Sequence, residues 1–112
     1  MVGFGNKKKK AAPLSPIAKG EVWWVDNLSF ADNPGSKSRP VLIIGTNGEE
    51  MANIMEITSQ PSSDYPQYEL MDYLSAGLDH ESYVKLRVRQ ISRRKLTRKM
   101  GRLVPADLEQ IH

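Results

Sequence analysis

Two side chains able to stabilise negative charge lie beside predicted strands. Arg39 precedes the apolar segment 41–44, and Thr58 ends the next strand predicted along the chain. A guanidinium can hold an oxyanion through paired N–H donors, and a hydroxyl can add one more donor. On pattern alone, structural roles are favoured: Arg39 would pair with an acid such as Glu56 or Asp26. Thr58 would be a strand residue with a satisfied hydroxyl. Strand register decides whether the two side chains meet, and the sequence does not fix it.

The charges of the chain, whose formal net charge is +3, are segregated along the sequence. Residues 1–20 carry five basic groups and no acid, whereas residues 21–84 carry eleven acids against Lys37 and Arg39. Residues 85–102 then carry nine basic groups and no acid. Such a segment forms either a phosphate-binding surface or a solvated basic face folded against the acidic middle. Charge alone leaves both interpretations open.

The residue types exclude several kinds of catalytic site. Cysteine is absent from the sequence, which excludes disulfides, thiolate metal sites and thiol nucleophiles. The sequence has no Gly-rich phosphate loop, His-Glu-x-x-His motif or Gly-x-Ser-x-Gly motif. The acids are scattered over predicted loops, so neither a metal site nor a cofactor is expected. His80, between Asp79 and Glu81, is typical of a surface residue rather than a catalyst.

The order of apolar, Gly/Pro-rich and basic segments predicts one folded domain. Residues 1–18, with four lysines and two prolines, predict a flexible basic tail, and residues 19–112 form the domain. Short strands, Gly/Pro punctuation and a final helix favour a mainly β (α+β) fold, a small and strongly curved β-barrel with short helices and a C-terminal helix. The predicted elements are strands at 21–26, 41–44, 53–59 and 67–71, a strand pair within 83–92, a helical turn at 93–99 and a helix from Pro105 through Ile111. Pro40 is expected to open its strand after a loop over 27–38.

Alternation within the strands places neighbouring side chains on opposite faces. Trp23 and Trp24 therefore diverge, and one of them is expected to fill the core. The other, or Phe30 in the following loop, can stack on a nucleobase, although ordinary packing is favoured. Within 83–92 the basic residues are expected on one face and the apolar ones on the other: Lys85, Arg87 and Arg89 against Leu86 and Val88.

Four segments form a recognisable series along the chain. They read, in order, KGEVWWVD, SRPVLIIGTN, NIMEITSQ and DHESYVKLRVRQISRRKLTRKMGRLVPADLEQI. This series resembles the PemK/MazF family of toxin–antitoxin ribonucleases, and the similarity spans about Lys19 to Ile111. The RPVLI segment and the Ile-Thr pair are fairly specific in this order, although each is weak alone.

The resemblance implies an SH3-like barrel that forms a homodimer, with single-stranded RNA bound along a groove at the dimer interface. It implies metal-independent cleavage, in which the neighbouring 2′-hydroxyl attacks the phosphate, and a cognate antitoxin that wraps the toxin and blocks the RNA site. The family's catalytic residues correspond to Arg39 in the Arg-Pro pair and Thr58 in the Ile-Thr pair. Ser36 matches the family's loop serine. The residues expected to bind RNA are Ser36, Lys37, Gln60, Lys85, Arg87 and Arg89.

Two departures from the family pattern border the groove in which the family binds RNA. The loop between the first strands is shorter, and Lys37 stands where an acid often follows the Gly-Ser pair. Arg87 replaces the glutamine often found before a Val-Arg pair, in a segment that is one residue short. Both departures bear on RNA sequence preference and on activity.

Together with this resemblance, the sequence predicts a toxin of a toxin–antitoxin system, a sequence-selective endoribonuclease that cleaves mRNA and thereby inhibits translation and growth. One alternative is a non-catalytic nucleic-acid-binding barrel, and another is an inhibitor of gyrase that acts on DNA, like the related CcdB toxins. The basic residues 7–10 are not followed by the apolar run of a secretory signal. The longest strongly apolar run, Val41 to Ile44, is too short to cross a bilayer. A cytoplasmic location without membrane contact is expected.

Overall fold

The computed structural model describes residues 16–30 and 34–111, so most of the predicted basic tail lies outside the described residues. Seven strands, one short 3-10 helix and one short α-helix make up the described fold. In chain order they are β1 (Glu21–Ser29), β2 (Ser36–Asn47), β3 (Met51–Thr58), β4 (Gln67–Glu69), β5 (Tyr83–Lys85), β6 (Arg89–Ser92), the 3-10 helix Arg93–Lys95, β7 (Leu96–Arg102) and α1 (Pro105–Leu108). A mainly β fold with short helices is therefore confirmed.

The strands form one antiparallel sheet in the order β4-β5-β3-β2-β1-β7, with β6 paired to β3. In the part of the chain that the structure describes, β4 and β7 do not pair, so the sheet is not closed. The central position of β2, between β1 and β3, agrees with the apolar character of the segment 41–44. No described helix is long and apolar enough to span a membrane.

Two apolar clusters cover opposite faces of the three long strands. Leu42 and Met55 belong to one cluster, and their neighbours Ile43 and Ile54 belong to the other. This alternation is the period of two that a strand imposes on its side chains. Burying an aliphatic side chain of this size contributes about 1.5–3 kcal/mol, so a strand that buries both faces is strongly held. Trp23 packs in the second cluster, which confirms that one of the two tryptophans fills the core.

The strands around the first loop extend further than the sequence suggested. β1 continues to Ser29 and β2 begins at Ser36, so Pro40 lies inside β2 and pairs with Trp24 instead of opening the strand. The pairs between β2 and β3 begin only at Val41. At Pro40 the strand β2 therefore has a partner on one side alone, a position at which the missing N–H is tolerated.

The basic C-terminal third of the chain differs most from the prediction. The helical turn expected at 93–99 is a 3-10 helix over Arg93–Lys95, and the residues after it form β7 along β1. The expected helix through Ile111 ends at Leu108. The alternation predicted for 83–92 is wrong in part, because an irregular stretch separates β5 from β6: Leu86 packs on the core, whereas Val88 is exposed. β7 is an exposed, charged edge strand. It has no apolar pattern, and its hydrogen-bonded pairing with β1 makes it a strand.

A buried carboxylate fixes the loop that follows β4. Asp107, at the start of α1, is fully buried and accepts hydrogen bonds from the Tyr68 hydroxyl (2.6 Å) and the backbone N–H groups of Met71 (3.0 Å) and Asp72 (2.9 Å). Gly77, further along this loop, has a φ of +85°, and an added Cβ would lie 2.2 Å from the carbonyl oxygen of Met100. The loop is thus attached to α1 at one point and pressed against β7 at another.

The Tyr68–Asp107 contact predicts a specific alkaline destabilisation. Burial, and then the bonded Asp107 carboxylate, raise the pKa of Tyr68 to about 12, whereas an unperturbed tyrosine has a pKa of about 10. The stabilisation from this proton is complete below about pH 10 and is lost as the pH rises towards about 12, because only the folded state still holds the proton there. The free energy of unfolding, measured in urea from pH 9 to 12, should therefore fall more steeply for the unmodified protein than for Tyr68→Phe. Tyr65→Phe is the control, and equal slopes for Tyr68→Phe and the unmodified protein would refute the assignment.

Candidate functional site

A cleft of about 480 Å³ opens where β2 runs past its last pair with β3. Its walls come from β1, β2, β3, β7 and the loop around residues 77–82. Val41 pairs with Glu56, so continuing the same register places Arg39 and Thr58 at matching positions beyond the last pair. Both residues line the cleft. The register that the sequence left open thus brings the two candidate catalytic residues together.

Arg39 is held in place on one side and borders the cleft on the other. Its Nη1 donates to Glu56 Oε1 at 2.8 Å, and only 11% of its side chain is exposed. The guanidinium carbon lies 5.7 Å from the centre of the Phe30 ring, within the range of a cation–π contact. Its Nε is buried and has no hydrogen-bond partner among the described residues. The ion pair with Glu56 confirms the structural role considered for Arg39, and it leaves other N–H donors of the guanidinium for a ligand.

Glu56 binds two further basic residues besides Arg39. Arg89 Nη1 donates to Glu56 Oε2 at 2.8 Å, and Lys85 Nζ lies 3.7 Å from Glu56 Oε1. Burial lowers the pKa of Lys85; Glu56 opposes this shift, while Arg39 and Arg87 add to it. We call Glu56, Arg39, Lys85 and Arg89 the Glu56 cluster. It contains one buried acid and three cations, so it retains positive charge next to the cleft.

The Thr58 hydroxyl closes the turn that follows β3. Its Oγ1 accepts a hydrogen bond from the backbone N–H of Gln60 at 3.0 Å. As a donor, the Thr58 hydroxyl lies 3.5 Å from the carbonyl oxygen of Gln60. A bond of that length is weak. The acceptor contact fixes the oxygen, and the hydroxyl proton can be redirected to a ligand oxygen in the cleft.

The residues expected to bind RNA lie in different places relative to the cleft. Lys37 lines the cleft with Arg39 and Thr58. Ser36, at the start of β2, and Gln60, after β3, are exposed outside the cleft lining. Lys85 and Arg89 belong to the Glu56 cluster behind the cleft, and Arg87 is half-buried between β5 and β6. Their role in RNA binding stays a prediction.

The structure adds Arg98 and His80 to the cleft wall, together with Trp24. The Arg98 guanidinium carbon lies 5.6 Å from the centre of the Trp24 ring, and Trp24 Nε1 donates to Asp26 Oδ1 at 2.9 Å. Trp24, rather than its core neighbour, is therefore the tryptophan that borders the cleft. Arg98 was not singled out because β7 was not recognised as a strand. The sequence predicted a surface position for His80, which is confirmed because 65% of its side chain is exposed. The sequence did not show that folding of its loop against β7 brings His80 to the cleft.

No group of three or more His, Asp or Glu side chains able to hold a metal occurs in residues 16–30 and 34–111. The buried acids Glu56 and Asp107 instead bind basic side chains and hydrogen-bond donors, respectively.

Comparison with protein families gives a match over nearly the whole chain. The sequence model of the family of PemK-like, MazF-like toxins of type II toxin–antitoxin systems matches residues 18–112. The chain belongs to this family. Among solved structures, an endoribonuclease in complex with its cognate antitoxin from a mycobacterial species has a similar fold, with a TM-score of 0.58 and 18% sequence identity. The similarity covers 89% of this chain and 87% of that one. No curated protein sequence matches the chain.

The Glu56 cluster predicts a large loss of stability in this PemK/MazF-like chain when its acid is neutralised. Glu56→Gln leaves three neighbouring cations without their shared counter-ion. Removing one partner of a buried ion pair typically costs about 3–5 kcal/mol, and we expect a loss of this order in the free energy of unfolding in urea. The control is Glu69→Gln, an exposed acid on β4, which should change stability by less than about 0.5 kcal/mol. Equal stability of the two variants would show that the cluster does not hold the fold.

Proposed function

We propose that this protein is an endoribonuclease toxin that cleaves single-stranded RNA, including mRNA, without a metal, and that a cognate antitoxin controls it. The observation that carries the proposal is the meeting of Arg39 and Thr58 on one cleft. Membership of the PemK-like, MazF-like toxin family supports it, and so does the likeness in fold to an endoribonuclease. We further propose that the toxin acts in the cytoplasm as a homodimer, as the resemblance implies.

The chemistry expected at the cleft is attack of a ribose 2′-oxygen on the adjacent phosphorus, in line with the bond to the 5′-oxygen. Negative charge then builds on the non-bridging oxygens of the phosphate. Arg39 supplies fixed N–H donors and a positive charge to these oxygens, and the Thr58 hydroxyl supplies one more donor. A guanidinium keeps its proton at neutral pH, so Arg39 stabilises charge and does not act as a base.

The surroundings of Arg39 support the proposed reaction in three ways. Glu56 fixes the guanidinium, so its donors are oriented before RNA binds, and such preorganised donors avoid the reorganisation that donors in water require. Lys37, Arg98 and the Glu56 cluster surround the cleft with positive charge, which attracts the phosphate backbone. Trp24, on the wall of the same cleft, offers an aromatic face for stacking of a base.

The test is cleavage of a long single-stranded RNA in excess EDTA by the unmodified protein, two site variants and one control variant. The unmodified protein should give discrete cuts. Arg39→Ala and Thr58→Ala should each cut about 100- to 1,000-fold more slowly, because each removes a donor to the transition state. Thr46→Ala, an exposed threonine of β2 away from the cleft, is the matched control and should cut at the unmodified rate. Thermal unfolding confirms that every variant is folded.

Three other outcomes would contradict the proposal in distinguishable ways. Cuts that vanish in EDTA and return with Mg²⁺ would show a metal-dependent enzyme. RNA that is bound but intact with folded protein would show a non-catalytic binding barrel. Intact RNA together with trapped gyrase–DNA complexes would show a gyrase inhibitor.

A further inference from the structure

The proposed reaction requires a proton that neither Arg39 nor Thr58 readily supplies. When the phosphorus–5′-oxygen bond breaks, the leaving 5′-oxygen must gain a proton to become a hydroxyl. A guanidinium and an aliphatic hydroxyl both hold their protons too tightly near neutral pH to act as efficient acids. Another residue of the same cleft must therefore supply this proton, provided that the proposed function is correct.

His80 has the side-chain type suited to this task among the residues that line the cleft. The charged residues on its walls are Lys37, Arg39, Asp79 and Arg98. An imidazole ordinarily titrates close to neutral pH, so it can carry a proton and release it during one reaction cycle. Ammonium and guanidinium groups ordinarily retain their protons at this pH, and a carboxylic acid has ordinarily lost its proton.

The loop holds the His80 backbone and leaves one side of the ring available. The His80 carbonyl oxygen accepts a hydrogen bond from the hydroxyl of Ser82 at 2.8 Å, and Ser82 is itself buried. On the ring, Nδ1 lies 2.5 Å from Asp79 Oδ1, while 65% of the side chain is exposed. A carboxylate on Nδ1 binds that nitrogen of an imidazole and leaves the other nitrogen, Nε2, for a substrate.

Contacts elsewhere in the loop fix the position of His80. Asp107 binds the backbone at residues 71 and 72, and Gly77 lies so close to Met100 that no Cβ would fit between them. The loop therefore presents His80 to the cleft from the side of β7, whereas Arg39 and Thr58 reach it from β2 and β3.

We propose that His80 is the general acid of RNA cleavage in this protein. The 2′-oxygen forms a bond to phosphorus and loses its proton to water, while the bond from phosphorus to the 5′-oxygen breaks. Nε2 of protonated His80 gives its proton to the departing 5′-oxygen. The products are a 2′,3′-cyclic phosphate and a 5′-hydroxyl, and the neutral imidazole regains a proton from water.

The experiment compares two substrates that differ only in the leaving atom. One is a short oligoribonucleotide that contains a cut site of the unmodified protein, and the other carries sulfur in place of the 5′-bridging oxygen at that site. A thiolate leaves without being protonated, so it does not need a general acid. Single-turnover rates are measured for the unmodified protein, His80→Gln and His112→Gln, which replaces the other histidine of the sequence.

On the oxygen substrate, His80→Gln should be at least about 100-fold slower than the unmodified protein, the usual contribution of a positioned acid. On the sulfur substrate the two should differ by less than about threefold, because no proton is required there. His112→Gln should match the unmodified protein on both substrates. Because the His80 side chain is mostly exposed, His80→Gln should leave the fold intact, and a slower cleavage rate would not result from misfolding. Circular dichroism of the variant checks this directly.

Two results would overturn the assignment while leaving the proposed function intact. Unchanged cleavage of the oxygen substrate by His80→Gln would show that His80 is not required. Equal losses on the oxygen and sulfur substrates would show that His80 binds RNA or shapes the cleft without donating the proton. Failure of the unmodified protein to cut either substrate would instead refute the ribonuclease proposal itself.

Discussion

The structure around the cleft depends on one buried carboxylate. Glu56, on β3, binds Arg39 from β2, Lys85 from β5 and Arg89 from β6, so it connects its own strand to three neighbours. A buried ion pair contributes little net stability when compared with well-packed apolar residues, because desolvating the charges is costly. The role of Glu56 is instead to fix the position of its basic partners. It keeps the Arg39 guanidinium at the edge of the cleft and leaves positive charge in excess beside it.

The second wall of the cleft is fixed by different contacts. Asp107 anchors the loop after β4 to the C-terminal helix, and Gly77 allows the same loop to lie directly against β7. β7 is itself held along β1, where Arg98 covers the Trp24 ring. Residues distant in sequence are thus brought to one cavity by two buried acids, one on each side, although neither acid lines the cleft.

Much of the fold could be predicted from the sequence because its central strands carry a strong pattern. The apolar segment 41–44 indicated a central strand covered on both faces, and the motifs around Arg39 and Thr58 indicated the family. The sequence could not give the register that aligns those two residues, since register depends on pairing across the sheet. β7 and the cleft position of His80 were missed because an exposed, charged edge strand and a folded loop carry no periodic signal.

The most direct test of the account is a crystal structure with an uncleavable RNA, an oligoribonucleotide that carries a 2′-deoxynucleotide at the cut site. The account predicts that the non-bridging oxygens of that phosphate lie within hydrogen-bond distance of the Arg39 guanidinium and the Thr58 hydroxyl, about 2.7–3.1 Å from the donor atoms. Arg39 should keep its contact with Glu56 in the complex. An RNA bound on another surface, with this phosphate away from Arg39 and Thr58, would contradict it.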